Sequence, residues 1–262
     1  MKKLTLNFVE GLALSTGQFL LKNLSKLKRG QIHFKGKNDY VTDIDRGSEK
    51  KIVAAIRRHF PDHAIMAEES YAKAKRNFHK PLWIIDPLDG TTNFIHGLPV
   101  FAVSIGVWIE GKIILGVVFD PNRNELFSAE RGKGAFLNHQ RIHVSQTKKL
   151  KETLLATGFP FRSEEVLDDY LKIFKALCPQ VSGIRRGGSA ALDLAYVACG
   201  RFDGFWELGL QPWDIAAGWL LIEEAGGKVS NFKKGPFQLQ SQNVMAGNPN
   251  LYPYFSRNIQ VS

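Results

Sequence analysis

Apolar residues near the start of the chain recur every three or four positions. Leu6, Val9, Ala13, Leu20 and Leu24 fall on one face, so an amphipathic helix is expected over residues 4–27, ending in the basic, glycine-containing stretch 26–30. A short extended segment and a polar loop at 35–39 follow. Ile52, Val53, Ile56 and Phe60 repeat the helical spacing, predicting a second helix over 45–59 that Pro61 terminates. Residues 64–67 form a brief apolar strand running into Glu68 and Glu69, and 72–80 is a polar, exposed loop. The period then shortens. Residues 82–85 are a continuous apolar run of the buried-strand type, and 101–109 and 112–119 flank Glu110 and Gly111 as a hairpin. Further strands are expected at 125–129 and 134–137. Beyond Ser145 the texture changes to a strand at 153–158, a helix at 166–177, a small-residue helix at 189–199, a strand at 202–207 and a helix at 214–225 stopped by Gly226 and Gly227. Strands followed by alternating strands and helices predict an α/β (α+β mixed) protein. A soft boundary near residue 147 divides it into an N-terminal lobe, 1–147, and a C-terminal lobe, 148–262, of one compact unit.

Composition narrows the function classes only slightly. A chain of 262 residues, 44% hydrophobic and 23% charged, is an ordinary globular protein able to bury a sizeable core. Its 35 basic against 25 acidic residues give a net charge of +10, which suits anionic ligands such as phosphate esters, nucleic acid or acidic proteins. A lysine-rich soluble surface accounts for that charge more simply, and no aromatic residues interleave with the basic ones as a base-stacking platform requires. Cys178 and Cys199 lack zinc-ligand spacing and point to a reducing compartment. The N-terminal apolar stretch is interrupted by Asn7, Glu10, Ser15, Thr16 and Gln18, unlike a signal peptide, and no run is long enough to span a bilayer. A cytoplasmic protein is expected.

The segment LWIIDPLDGTTNF, 82–94, carries the chemistry. Its apolar strand delivers Asp86 where the chain leaves the sheet, a common place for ligands in α/β folds. Asp86 and Asp89 flank a turn stiffened by Pro87, and such a turn can aim both carboxylates and the Leu88 carbonyl at one hard cation. Gly90 permits close approach of the backbone, and Thr91, Thr92 and Asn93 resemble a helix N-terminus able to receive phosphate. Taken alone, this is more simply an ordinary Asp-Gly turn. Glu68 and Glu69 at the end of another strand, and Asp214 at the start of a helix, shift the balance toward a metal site. Asp214 is a helix cap, a ligand, or both, and Asp45 by itself reads as a cap of the helix that follows it.

These motifs together resemble the inositol monophosphatase family of lithium-sensitive, Mg²⁺-dependent sugar phosphatases, especially its bacterial members. The likeness covers nearly the whole chain: VTDID at 41–45, AEES at 67–70, WIIDPLDGTTNF at 83–94, TGFPFR at 157–162, GSAALDLAYVACGRFDGFWE at 188–207 and PWDIAAGWLLIEEAGG at 212–227. The resemblance implies a layered αβαβα sandwich, a homodimer, and two or three Mg²⁺ ions. By motif position, Glu68, Asp86 and the Leu88 carbonyl hold one ion, and Asp86, Asp89 and Asp214 the second. Thr91 and Asp45 polarise the water that attacks phosphorus directly. Leu88, Asp89, Gly90, Thr91 and Asp214 also meet the substrate, with Arg185, Gly188, Ser189, Ala190 and Glu207 around its hydroxyls or a second phosphate. Phe159 and Arg162 receive no assigned contact. Implied substrates are small phosphorylated polyols or sugars, myo-inositol 1-phosphate first, with fructose-1,6-bisphosphate, histidinol phosphate and nucleotide 3′-phosphates as alternatives. Some bacterial relatives join transcription antitermination complexes, so a binding role there is the alternative of another class.

Overall fold

The computed structural model describes residues 3–36, 39–73, 80–160, 164–233 and 237–259. Helix α1 spans Leu6–Leu24 and starts at Thr5, whose hydroxyl accepts from the Phe8 N–H. A hairpin of β1 (Ile32–Gly36) and β2 (Asp39–Thr42) leads into α2 (Asp43–His59). This helix begins two residues before the periodicity alone places it, because Thr42 accepts from the N–H groups of Ile44 and Asp45. The Asp45 carboxylate accepts in return from the Thr42 N–H at 2.8 Å, completing a capping box. Residues 74–79, most of the loop expected at 72–80, lie outside the described residues.

A seven-stranded sheet contains, in spatial order, β3 (Ala64–Ala67), β4 (Leu82–Asp89), β5 (Ala102–Ile109), β6 (Lys112–Asp120), β7 (Glu125–Glu130), β8 (Gly134–Leu137) and β9 (Gln140–Ile142). Strands β3 and β4 run parallel, and the successive pairs from β4 onward are antiparallel. The short helix α3 (Thr91–Ile95) follows β4. The second sheet has five strands: β10 (Leu154–Thr157), β11 (Gly183–Arg185), β12 (Gly204–Glu207), β13 (Lys228–Ser230) and β14 (Val244–Gly247), in the order β11-β10-β12-β14-β13. Its helices are α4 (Leu167–Leu177), α5 (Ala190–Ala198), α6 (Pro212–Glu224) and α7 (Tyr252–Asn258).

Helices α1 and α2 pack on one face of the large sheet, α5 and α6 lie between the sheets, and α4 and α7 cover the far face of the small one. The layers are therefore αβαβα, as expected. The apolar run in β4 follows from this sandwich. Alternate residues point to opposite faces, so Leu82 and Ile84 join the central core with Leu194, Leu220 and Phe205, whereas Trp83 and Ile85 join the outer core with Val9, Ile52 and Ile56. Both faces are covered, and both sets must be apolar; each such side chain contributes about 1.5–3 kcal/mol.

Helix α6 is apolar around nearly its whole circumference because it lies between two sheets. It settles onto glycines: a Cβ at Gly106 would lie 2.8 Å from the Ala216 Cβ, and one at Gly116 would lie 2.9 Å from the Ala217 carbonyl oxygen. The Ser104 hydroxyl also donates to the Trp213 carbonyl at 3.2 Å. These contacts fix the first turn of α6, and with it Asp214, against the strand next to β4.

Candidate active site

Strand β4 does not stop at Ile85. It continues through the turn sequence to Asp89, but the pairing slips: Asp86 lies opposite Ser104 and Asp89 opposite Ala102, so one extra residue is accommodated in β4. The Leu88 N–H donates to Asp86 Oδ1 at 2.9 Å, which fixes the turn from within. At Gly90 the backbone has φ +94°, and a Cβ there would lie 2.9 Å from the Val100 carbonyl oxygen. Both the sign of φ and the crowding demand glycine. Gly90, not a polar side chain, occupies the cap position of α3.

Two other helices bring carboxylate partners to this turn. Asp89 Oδ2 accepts from the Ser189 hydroxyl at 2.6 Å and from the Ala191 N–H at 2.8 Å, at the start of α5. Asp214 sits in the first turn of α6, where its Oδ2 accepts from the Gln211 N–H at 2.7 Å. Gln211 is the cap, Pro212 opens the helix, and Asp214 is the capping-box partner three residues in. Its carboxylate also turns toward β4, and ligand oxygens of Asp86, Asp89 and Asp214 all lie within 4.8 Å of one another.

Such crowding is electrostatically costly. Burial raises the Asp86 carboxyl well above the usual range, and the negative charges of Glu68, Asp89 and Asp214 raise it further. Burial also pushes Asp89 up to about 6, against the hydrogen bonds from Ser189 and Ala191 that favour its ionised form. An oxygen-only donor set with surplus negative charge fits a hard divalent cation such as Mg²⁺, and a cation would remove the repulsion that raises these groups.

Asp45 and Thr91 stand beside this cluster. The Thr91 hydroxyl lies 2.9 Å from Asp45 Oδ1 and 3.1 Å from the Leu88 carbonyl oxygen, both acceptors. Asp45 is fully buried, and burial raises its carboxyl against hydrogen bonds from Thr42 and Thr91. The capping and site readings of Asp45 are thus compatible: one oxygen serves the helix and the other serves Thr91. Glu68 and Glu69 are bridged by Lys35 from β1, whose ammonium lies 2.9 and 2.5 Å from their carboxylates. Burial, then the charge of Glu68, pushes Glu69 up to about 8 despite Lys35.

The acidic turn opens onto one cavity of about 390 Å³. Glu68, Asp86, Leu88, Asp89, Gly90, Thr91, Gly188, Ser189, Ala190, Glu207 and Asp214 line it, so candidates drawn from distant parts of the chain converge. Asp45 stands behind Thr91. Arg185 is exposed, its guanidinium reaching the Ile184 carbonyl at 3.2 Å, and the neighbouring Arg186 lines the cavity instead. Two adjacent arginines at a strand end offer no sequence signal for which faces inward. Phe159 also lines the cavity, with the Arg186 guanidinium 5.3 Å from its ring centroid; Arg162 lies outside the described residues. Asp193 lines it too, and was legible: it follows Ser189 by four residues, on the same face of α5.

The sandwich with its acidic cavity at the strand ends is of the sugar-phosphatase type. Within that class the chain belongs to the inositol monophosphatase family, whose sequence profile matches residues 2–260. It is 48% identical over 258 residues to the Nus factor SuhB of Pseudomonas aeruginosa, covering 97% of this chain and 95% of that one. It also resembles two solved structures. One is the extragenic suppressor protein suhB of Bartonella henselae, with TM-score 0.90, 41% identity and 97% of each chain covered. The other is the inositol monophosphatase of Anabaena, with TM-score 0.87, 42% identity and 97% and 94% covered. Family membership supports a magnesium-dependent phosphatase. No helix among the described residues is long and apolar enough to cross a membrane.

Proposed function

We propose that this protein hydrolyses small phosphomonoesters with the help of Mg²⁺, and that myo-inositol 1-phosphate is its foremost substrate. The observation that carries the reading is the convergence of Asp86, Asp89 and Asp214 to within 4.8 Å at a cavity that Thr91 also lines. In this reading Glu68, Asp86 and the Leu88 carbonyl hold one ion, and Asp86, Asp89 and Asp214 hold a second. Bound there, Mg²⁺ screens the charge of the phosphoryl group and acidifies water.

The chain's own groups supply orientation. With its proton directed to Asp45 Oδ1, the Thr91 oxygen presents a lone pair to the cavity, where it accepts from a water and aims that water's remaining lone pairs at phosphorus. Burial makes Asp45 a better proton acceptor than an exposed aspartate, so Thr91 and Asp45 form a relay for the proton that the attacking water loses. The alcohol portion of the ester lies toward Glu207 and the segment Gly188, Ser189 and Ala190. The assembly is proposed to be a homodimer, tested by light scattering on the purified protein.

Phosphate release from a panel of myo-inositol 1-phosphate, fructose-1,6-bisphosphate, histidinol phosphate and a nucleotide 3′-phosphate tests this, with Mg²⁺ and with or without lithium. Release that depends on Mg²⁺, is highest for the inositol ester and is suppressed by lithium is expected. No release from any member refutes the reading. A second role in transcription complexes is favoured by one observation, the Nus factor name of the Pseudomonas aeruginosa relative. Retention of RNA polymerase on the immobilised protein tests it.

A further inference from the structure

Among the described residues, Asp193 is a carboxylate without a hydrogen-bond donor. It lies in the first turn of α5, is 4% exposed, and lines the cavity that also contains Asp89 and Glu207. Other buried aspartates in this fold are well supplied. Asp45 accepts from the Thr42 N–H and from Thr91, Asp89 from Ser189 and Ala191, Asp120 from the N–H groups of Asn122 and Arg123, and Asp203 from Ser145 and Leu154. No hydrogen bond reaches the Asp193 side chain among the described residues; the influences on it are burial, the negative charge of Asp89 and the positive charge of Arg186. Glu207, half-buried at the cavity wall, likewise has charges around it and no hydrogen bond among the described residues.

Two cavity-facing carboxylates with no donor among the described residues must take their hydrogen bonds from water or from a bound molecule. The fold makes room for them. A Cβ at Gly158 would lie 2.0 Å from Glu207 Oε1, and one at Gly187 would lie 3.0 Å from Asp193 Oδ1. The pair is not among the three carboxylates, Asp86, Asp89 and Asp214, whose oxygens converge within 4.8 Å. Positive charge is already present, because Arg186 acts on both carboxylates. What the pair lacks is neutral O–H donors, and a polyol brings them in adjacent positions.

We propose that Asp193 is a specificity-determining residue. Its carboxylate, beside that of Glu207, accepts hydrogen bonds from hydroxyls on the alcohol portion of the ester, so that the cavity selects polyol phosphates over phosphates of alcohols without hydroxyls. This rests on the phosphatase reading above. A site built to pair a substrate hydroxyl rejects an analogue lacking it far more strongly than an apolar pocket rejects a change in size.

The test compares kcat/KM for myo-inositol 1-phosphate and for 4-nitrophenyl phosphate in the wild type, Asp193→Asn and Asp193→Ala. Taking the ratio of the two esters cancels any change in metal affinity caused by removing a charge near Asp89. The polyol-to-nitrophenyl ratio is expected to fall about tenfold or more in Asp193→Ala, and less in Asp193→Asn, which keeps one acceptor. Deoxy-inositol phosphates give a second measurement on folded wild type: one missing hydroxyl should slow the wild type and leave Asp193→Ala unaffected. A ratio that moves less than about threefold in both variants, with every deoxy analogue penalised equally in wild type and variant, overturns the inference and leaves the phosphatase reading standing. A wild type that releases phosphate from neither ester overturns both.

Discussion

Replacing Asp89 by asparagine should remove magnesium-dependent turnover and, without metal, make the protein more stable. Asp89 ordinarily titrates near 3.8 and in the fold is pushed up to about 6, burial being the largest cause. The folded protein therefore holds this proton more tightly than the unfolded chain does. Its contribution to stability is full below pH 3.8 and is lost as pH rises through about 6. Above that pH, holding Asp89 ionised costs the metal-free protein about 3 kcal/mol, at ~1.4 kcal/mol per factor of ten in proton affinity. Asparagine does not titrate and retains an acceptor oxygen for Ser189 and Ala191. Asp89→Asn should accordingly match the wild type in stability near pH 3.5 and melt about 5–10 °C higher at pH 8 in chelator. With Mg²⁺ the order should reverse, because binding to the native state stabilises the wild type by mass action and the variant lacks one carboxylate of the cluster. Melting curves at the two pH values, each with chelator and with Mg²⁺, measure all of this. A variant that melts below the wild type at pH 8 in chelator, or a gain that does not depend on pH, would refute the electrostatic account of the cluster.

Three further outcomes are expected. Thr91→Val removes the hydroxyl between Asp45 and the cavity and should lower kcat by about 10²–10⁴ with an unchanged magnesium stoichiometry, measured by steady-state kinetics and calorimetric titration. Gly90→Ala forces a Cβ onto a backbone at φ +94° and within 2.9 Å of the Val100 carbonyl; a loss of about 1–3 kcal/mol in urea unfolding is expected, together with weaker metal binding. Ser189→Ala removes the cap of α5 and a donor to Asp89; it should cost about 1 kcal/mol and raise the Asp89 carboxyl further, so that Mg²⁺ affinity falls more at pH 6 than at pH 8.

The sequence by itself determined what is encoded within a few residues. Helical spacing located α1, α2, α4 and α6 to within a turn, and the apolar runs located β3 to β8, because these patterns depend only on which neighbours share a face. It also marked the acidic turn after β4. Local spacing left Asp214 as cap, ligand or both; Gln211 is the cap residue itself, and Asp214 is its capping-box partner as well as a member of the carboxylate cluster. It gave no strand for residues 183–185, 228–230 or 244–247, which are too short for a period to register and form by pairing across the sheet: β11 with β10, β14 with β12, and β13 with β14. Tertiary structure alone decided that the second oxygen of Asp45 meets Thr91, that Arg186 and not Arg185 lines the cavity, and that Asp193 stands there with no donor among the described residues. Tertiary structure likewise seats α6 on Gly106 and Gly116 and α5 against Asp89. Such contacts join residues about a hundred positions apart, and no pattern confined to one element can register them.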